Sequence, residues 1–415
     1  MRYAYASGVT RFLAICGFLL LGLFSSCWAG QSCTPGAVQR SVAEAKAIQS
    51  RLLANNVKDM DPEVSGAIQQ QIRAIKEALA TTVDTYMRCQ GKNEIKARQL
   101  QNELAVLLGA NAPEKPRQYT PENTSLMDDQ VYGGDLKVAV ARPVNESQLM
   151  AVELSFGIEC GDDTILLIYE QNNGVWHRSV RWNSDDYGEI SGAFGDFFQY
   201  VVMPSGPPMG WVVAVAHGHP WCTSRWSAFD LDVIEPAQGT ATQRLLFHKQ
   251  DGYVRETDPV MKVKSDGFEL RFEKGCLDLG IMTRSGIYRY QFVGDQMHRV
   301  QPVAMNGRDF VDEWLQTEWS DAAQWSETSK LKELEAKHAG FLQLRSPEAK
   351  GGPLFSYGPV RACSDDAKRF VVELDQDPGT PTYFQVQQGE NSFTMRAISH
   401  IPFPQCKGPD LMRTR

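Results

Sequence analysis

The residues best suited to chemistry lie in one short segment, His217-Gly218-His219-Pro220-Trp221-Cys222. Histidines two positions apart on an extended chain project to the same side. With Cys222 they offer three side chains of the kind that bind zinc or copper. One hypothesis for the function is therefore a hydrolase that uses His217 and His219, either with a metal or by acid–base chemistry.

The strand leading into this segment favours a structural role for both histidines. Val213 and Val215 share the alternation of the two histidines, and the intervening positions are apolar too, so the strand is predicted to be buried on both faces. Histidines at the end of such a strand are usually hydrogen-bonded within the core. Cys222 is a better disulfide partner than a metal ligand in an oxidising compartment. We therefore expect neither a metal nor a cofactor.

Two acid pairs, Asp162-Asp163 and Asp185-Asp186, are the other candidates for chemistry. Either pair could hold calcium, or could cleave a glycoside, a reaction that needs two opposed carboxyl groups. Both pairs adjoin turn residues, where aspartate often bonds its own backbone. The aspartate–glycine spacing of a calcium-binding loop is absent. We therefore interpret both pairs as structural.

The motifs of several enzyme classes are missing. The chain has no G-x-S-x-G elbow, no H-E-x-x-H, no P-loop and no G-x-G-x-x-G fingerprint. We therefore predict a non-enzymatic protein that binds a protein or glycan partner, with a purely structural envelope component as a further alternative. Exposed tryptophans stack on sugars or anchor protein contacts, whereas buried ones fill cores. The tryptophans beyond the first thirty residues are at positions 176, 182, 211, 221, 226, 314, 319 and 325.

Residues 1–29 have the pattern of an export signal. Arg2 and Arg11 make the start positive, and no acidic residue lies near them. Residues 12–24 are almost wholly apolar, but a run of about a dozen residues is too short to span a bilayer comfortably. The sequence therefore predicts a secreted or periplasmic protein.

The fate of the signal has three alternatives. Small residues at Cys27 and Ala29 allow cleavage before Gly30. Residues 24–27 also resemble a lipobox, although phenylalanine replaces the usual aliphatic residue, so lipidation of Cys27 would anchor the protein to the envelope. An uncleaved anchor is the third alternative.

Charge and hydropathy argue against a nucleic-acid partner and against a membrane-spanning helix. Loss of Arg2 and Arg11 with the signal takes the net charge from −8 to −10. An acidic protein repels the phosphate backbone, so we expect no nucleic-acid partner. No later segment approaches the ~18 uninterrupted apolar residues of a membrane helix, so no transmembrane span is expected in the mature chain. The sequence specifies no oligomeric state.

Seven of the nine cysteines lie beyond the signal, and none forms a C-x-x-C pair. Widely spaced cysteines usually pair in an oxidising compartment. Sequence order and flanking strands favour Cys160–Cys222 and Cys363–Cys406. Because seven is odd, one cysteine is left over, and we expect it to be Cys276.

The pairing with the strongest geometric argument is Cys33–Cys89. Both cysteines lie almost equally far from a turn near Met60, at the open end of a hairpin of two predicted helices. In an antiparallel hairpin their positions differ by about 3 Å along the axis, at ~1.5 Å rise per residue. A disulfide there would clamp the open end of the hairpin.

Periodicity divides the mature chain into five segments and predicts an α+β fold. Apolar residues recur every three or four positions in the first segment, which predicts a helical hairpin or three-helix bundle. Many short strands with turn signals between them predict a mainly antiparallel β body, followed by a helical insert and a small β meander. The predicted segments are a disulfide-clamped helical region at 33–110, a linker at 111–134, a β domain at 135–300, a helical insert at 301–345 and a C-terminal β unit at 346–415.

Overall fold

The computed structural model describes most of the chain between residues 34 and 412. Within the described ranges the protein has N-terminal helices, mainly antiparallel sheets and a C-terminal four-stranded meander, which confirms the predicted fold class. Residues 1–29 and Cys33, Cys160 and Cys222 lie outside them, as does most of the predicted linker. The described ranges are 34–55, 64–90, 95–113, 132–143, 148–158, 161–185, 197–204, 210–219, 225–237, 242–254, 257, 259–293, 296–344 and 354–412.

Three N-terminal helices span Pro35–Leu53 (α1), Gly66–Cys89 (α2) and Ala97–Leu108 (α3). Their ends follow local chemistry. Pro35 begins α1, where its missing N–H would have no partner in any case. The Ser65 hydroxyl caps α2 by accepting the N–H of Ile68. Gly109 ends α3 with φ 72°, a left-handed conformation that suits a residue without a Cβ.

The helices cover one face of a four-stranded antiparallel sheet. Its strands, in chain order, are Lys137–Ala141 (β1), Leu149–Ile158 (β2), Gly161–Asn172 (β3) and Val175–Asn183 (β4). Leu52, Leu79 and Leu104 of the helices share one core with Val152 and Leu167 of the strands. The helices therefore pack on the sheet as well as on each other, a contact that helical periodicity alone does not specify. The domain boundaries themselves remain a prediction.

A second, eight-stranded sheet folds back on itself. Phe229 of β7 packs against Phe272 of β10, and Phe247 of β8 packs against Tyr290 of β11, so the first and last four strands face each other. The strands are Phe198–Pro204 (β5), Trp211–Gly218 (β6), Trp226–Glu235 (β7), Arg244–Val254 (β8), Val260–Lys264 (β9), Gly267–Gly275 (β10), Thr283–Val293 (β11) and Gln296–Arg299 (β12).

The two sheets stack face to face. Ile168 and Val180 of the first sheet pack against Val202, Val213 and Val215 of the second. The protein is thus layered from the N-terminal helices through the first sheet to the folded second sheet. β6 contributes side chains to two cores, one on each face of the sheet. Both its odd-numbered and its even-numbered positions are therefore mainly apolar. The prediction that this strand is buried on both faces is confirmed.

The C-terminal unit, residues 301–412, has a core of its own. Phe310 and Trp314 of the first helix and Phe341 of the last pack against Phe384 and Met395 of the meander. The predicted helical insert and β unit therefore share one core. Its elements are Gly307–Gln316 (α4), Trp319–Ala322 (α5), Leu331–Leu344 (α6), Leu354–Ala362 (β13), Arg369–Asp377 (β14), Thr382–Gln388 (β15) and Phe393–Ser399 (β16).

Charged side chains join the C-terminal unit to the second sheet. We name them the ionic joint: three cations come from the sheet and three carboxylates from the helices. Glu313 bonds Arg284 at 2.5 Å and Arg299 at 2.6 Å. Burial disfavours its charged form, but the positive charges of Arg299, Lys274 and Arg284 prevail and hold its pKa well below the usual value. The six residues are Lys274, Arg284, Arg299, Asp312, Glu313 and Asp321.

Glutamine side chains seal several strand edges. In each case Oε1 accepts a backbone N–H and Nε2 donates to a backbone carbonyl, which replaces the bonds that a neighbouring strand would make. At Gln301 both bonds run to Phe393 of β16, at 2.7 and 2.5 Å. The others are Gln101 beside β1, Gln243 beside β4 and Gln199, which spans the seam between β5 and β9.

Candidate functional site

His217 lies at the end of β6 and is 1% exposed. Its ring packs against Trp182 at 5.4 Å and Phe198 at 6.1 Å between centroids. Asp230 is its partner across the ladder with β7. The environment is that of a core histidine at a strand end.

His219 lies just beyond β6 and reaches the same side of the sheet. Its Nε2 is 2.6 Å from Asp230 Oδ2, so both histidines lie on the side of the sheet that carries this carboxylate. Burial raises the pKa of Asp230. The hydrogen bond from His219 and the charges of His219, His248 and His217 outweigh that effect, and the net pKa is lowered.

A second histidine–aspartate pair lies beside the first. His248 Nδ1 of β8 is 2.8 Å from Asp232 Oδ1 of β7. Trp182 of β4 donates its indole N–H to the other oxygen of Asp232 at 2.7 Å, which ties the two sheets together. Sequence reasoning missed Asp230, Asp232 and His248, because their proximity follows from strand register. The one available signal was that Asp230 and Asp232 occupy alternate positions of β7, which places both carboxylates on one face of the strand.

This cluster contains side chains with metal-ligand chemistry, yet it does not form a metal site in the part of the chain that the structure describes. No group of three His, Cys, Asp or Glu side chains there could hold a metal ion. The Nε2 atom of His219 is hydrogen-bonded to Asp230. Cys222, the third predicted ligand, lies outside the described residues. The hydrolase hypothesis therefore gains no metal centre and no nucleophile from this geometry.

The first acid pair is built into the contact between helix and sheet. Asp163 is fully buried and lies 3.2 Å from the buried ammonium of Lys76 on α2. Ser184 donates its hydroxyl proton to the other oxygen of Asp163 at 2.8 Å. Asp162 lies 4.0 Å from Lys137. A carboxylate with these partners neutralises a buried cation. Asp163 therefore has a structural role within β3, different from the bonding of its own backbone at a turn that the sequence suggested.

The second acid pair adjoins a charged cleft of about 350 Å³. Asp185 lines this cleft, and Asp186 lies outside the described residues. Two of the cleft's cations are already ion-paired, Lys76 with Asp163 and Arg181 with Glu77. The remaining lining residues are Arg73, Asn183 and Ser184.

The described cysteines agree with an oxidised protein. Cys363 and Cys406 form the predicted disulfide. Cys89 is also disulfide-bonded, but its predicted partner Cys33 is not among the described residues, so that pairing stays a prediction. Cys160–Cys222 is likewise outside them. Cys276, expected to be the odd cysteine, is a free thiol. Burial, reinforced by the charge of Asp312, raises the pKa of that thiol to about 11.

Most of the tryptophans that the structure describes fill cores, but one contributes to an exposed apolar surface. Trp226, Leu279, Ile281 and Met282 are 40%, 61%, 37% and 44% exposed. We name these four residues the apolar loop surface. Three of them lie in the loop between β10 and β11, and Trp226 begins β7. The buried tryptophans are Trp176, Trp182, Trp314 and Trp325.

Two contacts make this surface continuous. The Trp226 ring lies over Gly275 at the end of β10, so closely that a Cβ there would be 3.1 Å from the ring. Arg225 reaches the sulfur of Met282 at 3.8 Å and also stacks on the Trp226 ring. Aromatic, arginine and methionine side chains are enriched in protein interfaces.

A buried aspartate organises the backbone of the loop. Asp278 Oδ1 accepts the N–H groups of Gly280 at 2.7 Å and Ile281 at 3.2 Å. Met282 has φ 65°, a conformation that residues with a Cβ rarely adopt. Sequence reasoning missed this site, although Leu279, Ile281 and Met282 around a turn glycine were a visible signal.

No family model, no curated protein and no solved structure matches this chain. Among the described residues, no helix combines the length and apolar character needed to cross a membrane.

Proposed function

We propose that this chain is an exported, non-enzymatic protein of the cell envelope or exterior that binds a partner protein through the apolar loop surface. The observation that carries the proposal is the exposure of Leu279, Ile281 and Met282 on a loop whose backbone is held by Asp278. A preorganised loop loses little conformational entropy when it binds.

The chemistry of the surface favours a protein over a glycan. Three of its four residues are aliphatic or methionine, and burying them against another apolar surface is favourable at about 25 cal/mol per Å². A sugar would instead need several polar groups directed outwards beside the aromatic ring. Here Arg225 contacts the Trp226 ring and the Met282 sulfur, and Asp278 is directed inwards to the loop's own backbone. The partner we propose therefore presents an apolar groove or face.

The geometry of the histidine cluster favours a structural role over a hydrolytic one. His217 is enclosed by Trp182 and Phe198, and His219 is engaged by Asp230. General acid–base catalysis needs a histidine within reach of a reacting group. A histidine buried among aromatic rings is poorly placed for that task.

Export is supported mainly by the sequence. The charged start and short apolar run of residues 1–29 support it. The Cys363–Cys406 disulfide is compatible with an oxidising compartment. Epitope-tagged full-length chain should fractionate outside the cytoplasm, and a charge inserted at Leu19 should retain it inside. Globomycin sensitivity would separate a lipidated Cys27 from simple cleavage.

The binding proposal is tested with tagged mature protein and envelope extract. We expect wild-type protein to capture a partner that Leu279→Ser/Ile281→Ser protein does not. Leu245→Ser/Val293→Ser protein is the matched control, because these side chains are 56% and 55% exposed elsewhere on the second sheet. Equal capture by all three proteins would show that the apolar loop surface is not the binding site.

A further inference from the structure

The apolar loop surface is tied to the C-terminal unit through Asp312. This residue of α4 is fully buried and belongs to the ionic joint, where Oδ1 lies 2.5 Å from Arg284 Nε. Its other oxygen accepts the N–H of Leu277, the second residue of the loop, at 2.8 Å. The same oxygen accepts the hydroxyl proton of Tyr357 from β13 at 2.9 Å. One carboxylate therefore contacts the sheet, the loop and the meander.

A second tie runs through Asp278 inside the loop. Its Oδ2 accepts the backbone N–H of Tyr357 at 2.7 Å, while its Oδ1 holds the turn. Leu277 inserts its side chain into the core of the C-terminal unit. Both the start and the middle of the loop are thus fastened to elements outside the second sheet.

The loop needs such external support because its own conformation is unfavourable. Met282 has a left-handed backbone conformation, which a Cβ disfavours and which persists where the surroundings over-determine it. Met282 is held within the loop, where its N–H bonds the Asp278 carbonyl at 2.7 Å and its carbonyl accepts the Cys276 N–H at 2.9 Å. Asp278 and Leu277 are in turn held by the C-terminal unit. Without it, the loop would lose the bonds to Asp312 and Tyr357 and the burial of Leu277.

We infer that docking of the C-terminal unit through the ionic joint holds the loop in the conformation that displays the apolar loop surface, so that the surface forms only while the unit is docked. The relevance of this coupling to partner binding rests on the proposed function, whereas the coupling itself does not. The joint would then act as a switch for the surface, because a change that undocks the unit would dismantle the loop.

Hydrogen exchange and thiol labelling of the full mature chain test this coupling without any partner. Glu313→Gln weakens the joint but alters no group that contacts the loop, since Glu313 bonds Arg284, Arg299 and Lys274. Glu333→Gln is the matched control, an exposed glutamate on α6 whose partner is Lys337. The readouts are amide exchange across residues 276–282 and the rate of Cys276 alkylation by iodoacetamide, localised by peptide mass spectrometry.

We expect Glu313→Gln to raise both rates about tenfold or more, as local opening becomes easier, and Glu333→Gln to leave both unchanged. A folded Glu313→Gln protein whose loop exchanges as slowly as wild type would overturn the inference. If Glu313→Gln does not fold, Tyr357→Phe carries the test, because it removes only the O–H bond to Asp312 and should raise both rates by a smaller factor. Unchanged rates in Tyr357→Phe would then be decisive against the coupling.

This result is separable from that of the binding experiment. Faster loop exchange with equal capture by all pull-down variants would remove the proposed function and leave the coupling intact. Unchanged exchange with capture lost in Leu279→Ser/Ile281→Ser would do the reverse.

Discussion

The N-terminal helices and the C-terminal unit are attached to the β layers in opposite ways. The helices share a continuous apolar core with β1–β4, within which Lys76–Asp163 is a fully buried ion pair. Arg178–Asp84 and Arg181–Glu77 join α2 to β4 at the more exposed rim of that contact. The C-terminal unit has its own core and meets the second sheet through six charged residues.

The two contacts should respond differently to small displacements and to the loss of a side chain. Apolar contact is non-directional and roughly proportional to buried area, so a helix layer tolerates small shifts. A buried ionic contact depends on complete pairing, and a charge left without its partner is strongly destabilising. The helix layer is therefore suited to permanent support, and the ionic joint to a contact with two defined states.

The largest expected effect comes from breaking the ionic joint. Arg284→Met would leave Asp312 and Glu313 buried with one cation fewer, and we expect the free energy of unfolding to fall by about 3–5 kcal/mol. Denaturant unfolding followed by circular dichroism measures it. The control Arg244→Met removes an exposed arginine paired with Glu235 and should cost less than about 1 kcal/mol. Equal effects of the two variants would show that the buried ionic joint is no more sensitive to the loss of a cation than an exposed ion pair.

A cavity in the helix–sheet core should have the next largest effect. Leu79 on α2 is 1% exposed, and Leu79→Ala should lower the free energy of unfolding by about 2–4 kcal/mol. Because the core is shared, hydrogen exchange should accelerate in α1–α3 and in β1–β4 together, while β13–β16 stay protected. Acceleration confined to the helices would instead indicate an independent helical domain, as the predicted boundary at 110 implies.

A smaller effect is expected at a sealed strand edge. Gln301→Ala removes the two bonds to Phe393 and should cost about 1 kcal/mol. Gln388→Ala, at the exposed end of β15, is the control and should be nearly neutral. If both variants unfold at the same denaturant concentration as wild type, the two hydrogen bonds of Gln301 do not contribute measurably to stability.

The smallest effect is a pH dependence at the contact between the two sheets. The hydrogen bond to Asp232 raises the pKa of His248, with partial burial opposing it. The stabilisation is therefore complete below the unfolded value of about 6.5 and is lost as pH rises through the higher folded pKa. His248 is largely exposed, so we expect only a few tenths of a kcal/mol. His248→Gln should flatten that part of the pH–stability profile, and an unchanged profile would exclude this pair as its source.

Part of the candidate site could be predicted from sequence. The alternation in β6 correctly placed His217 and His219 on one side of a doubly buried strand. Cys363 and Cys406 were correctly paired from their order along the chain. The histidine–aspartate pairs were not predicted, because Asp230 meets His219 and Asp232 meets His248 through the register of β6–β8.

The sequence by itself determined the local elements: helical stripes, alternating strands, the glycine that ends α3 and the α+β class. These depend on periodicity and on the conformations that single residues allow. Only the tertiary structure decided that the helices share a core with the first sheet, that Lys76 neutralises Asp163 and that Asp312 joins the sheet, the loop and the meander. The physical reason is that burial and ion pairing depend on distances between layers, and residues far apart in sequence carry no local pattern that records which layer they will face.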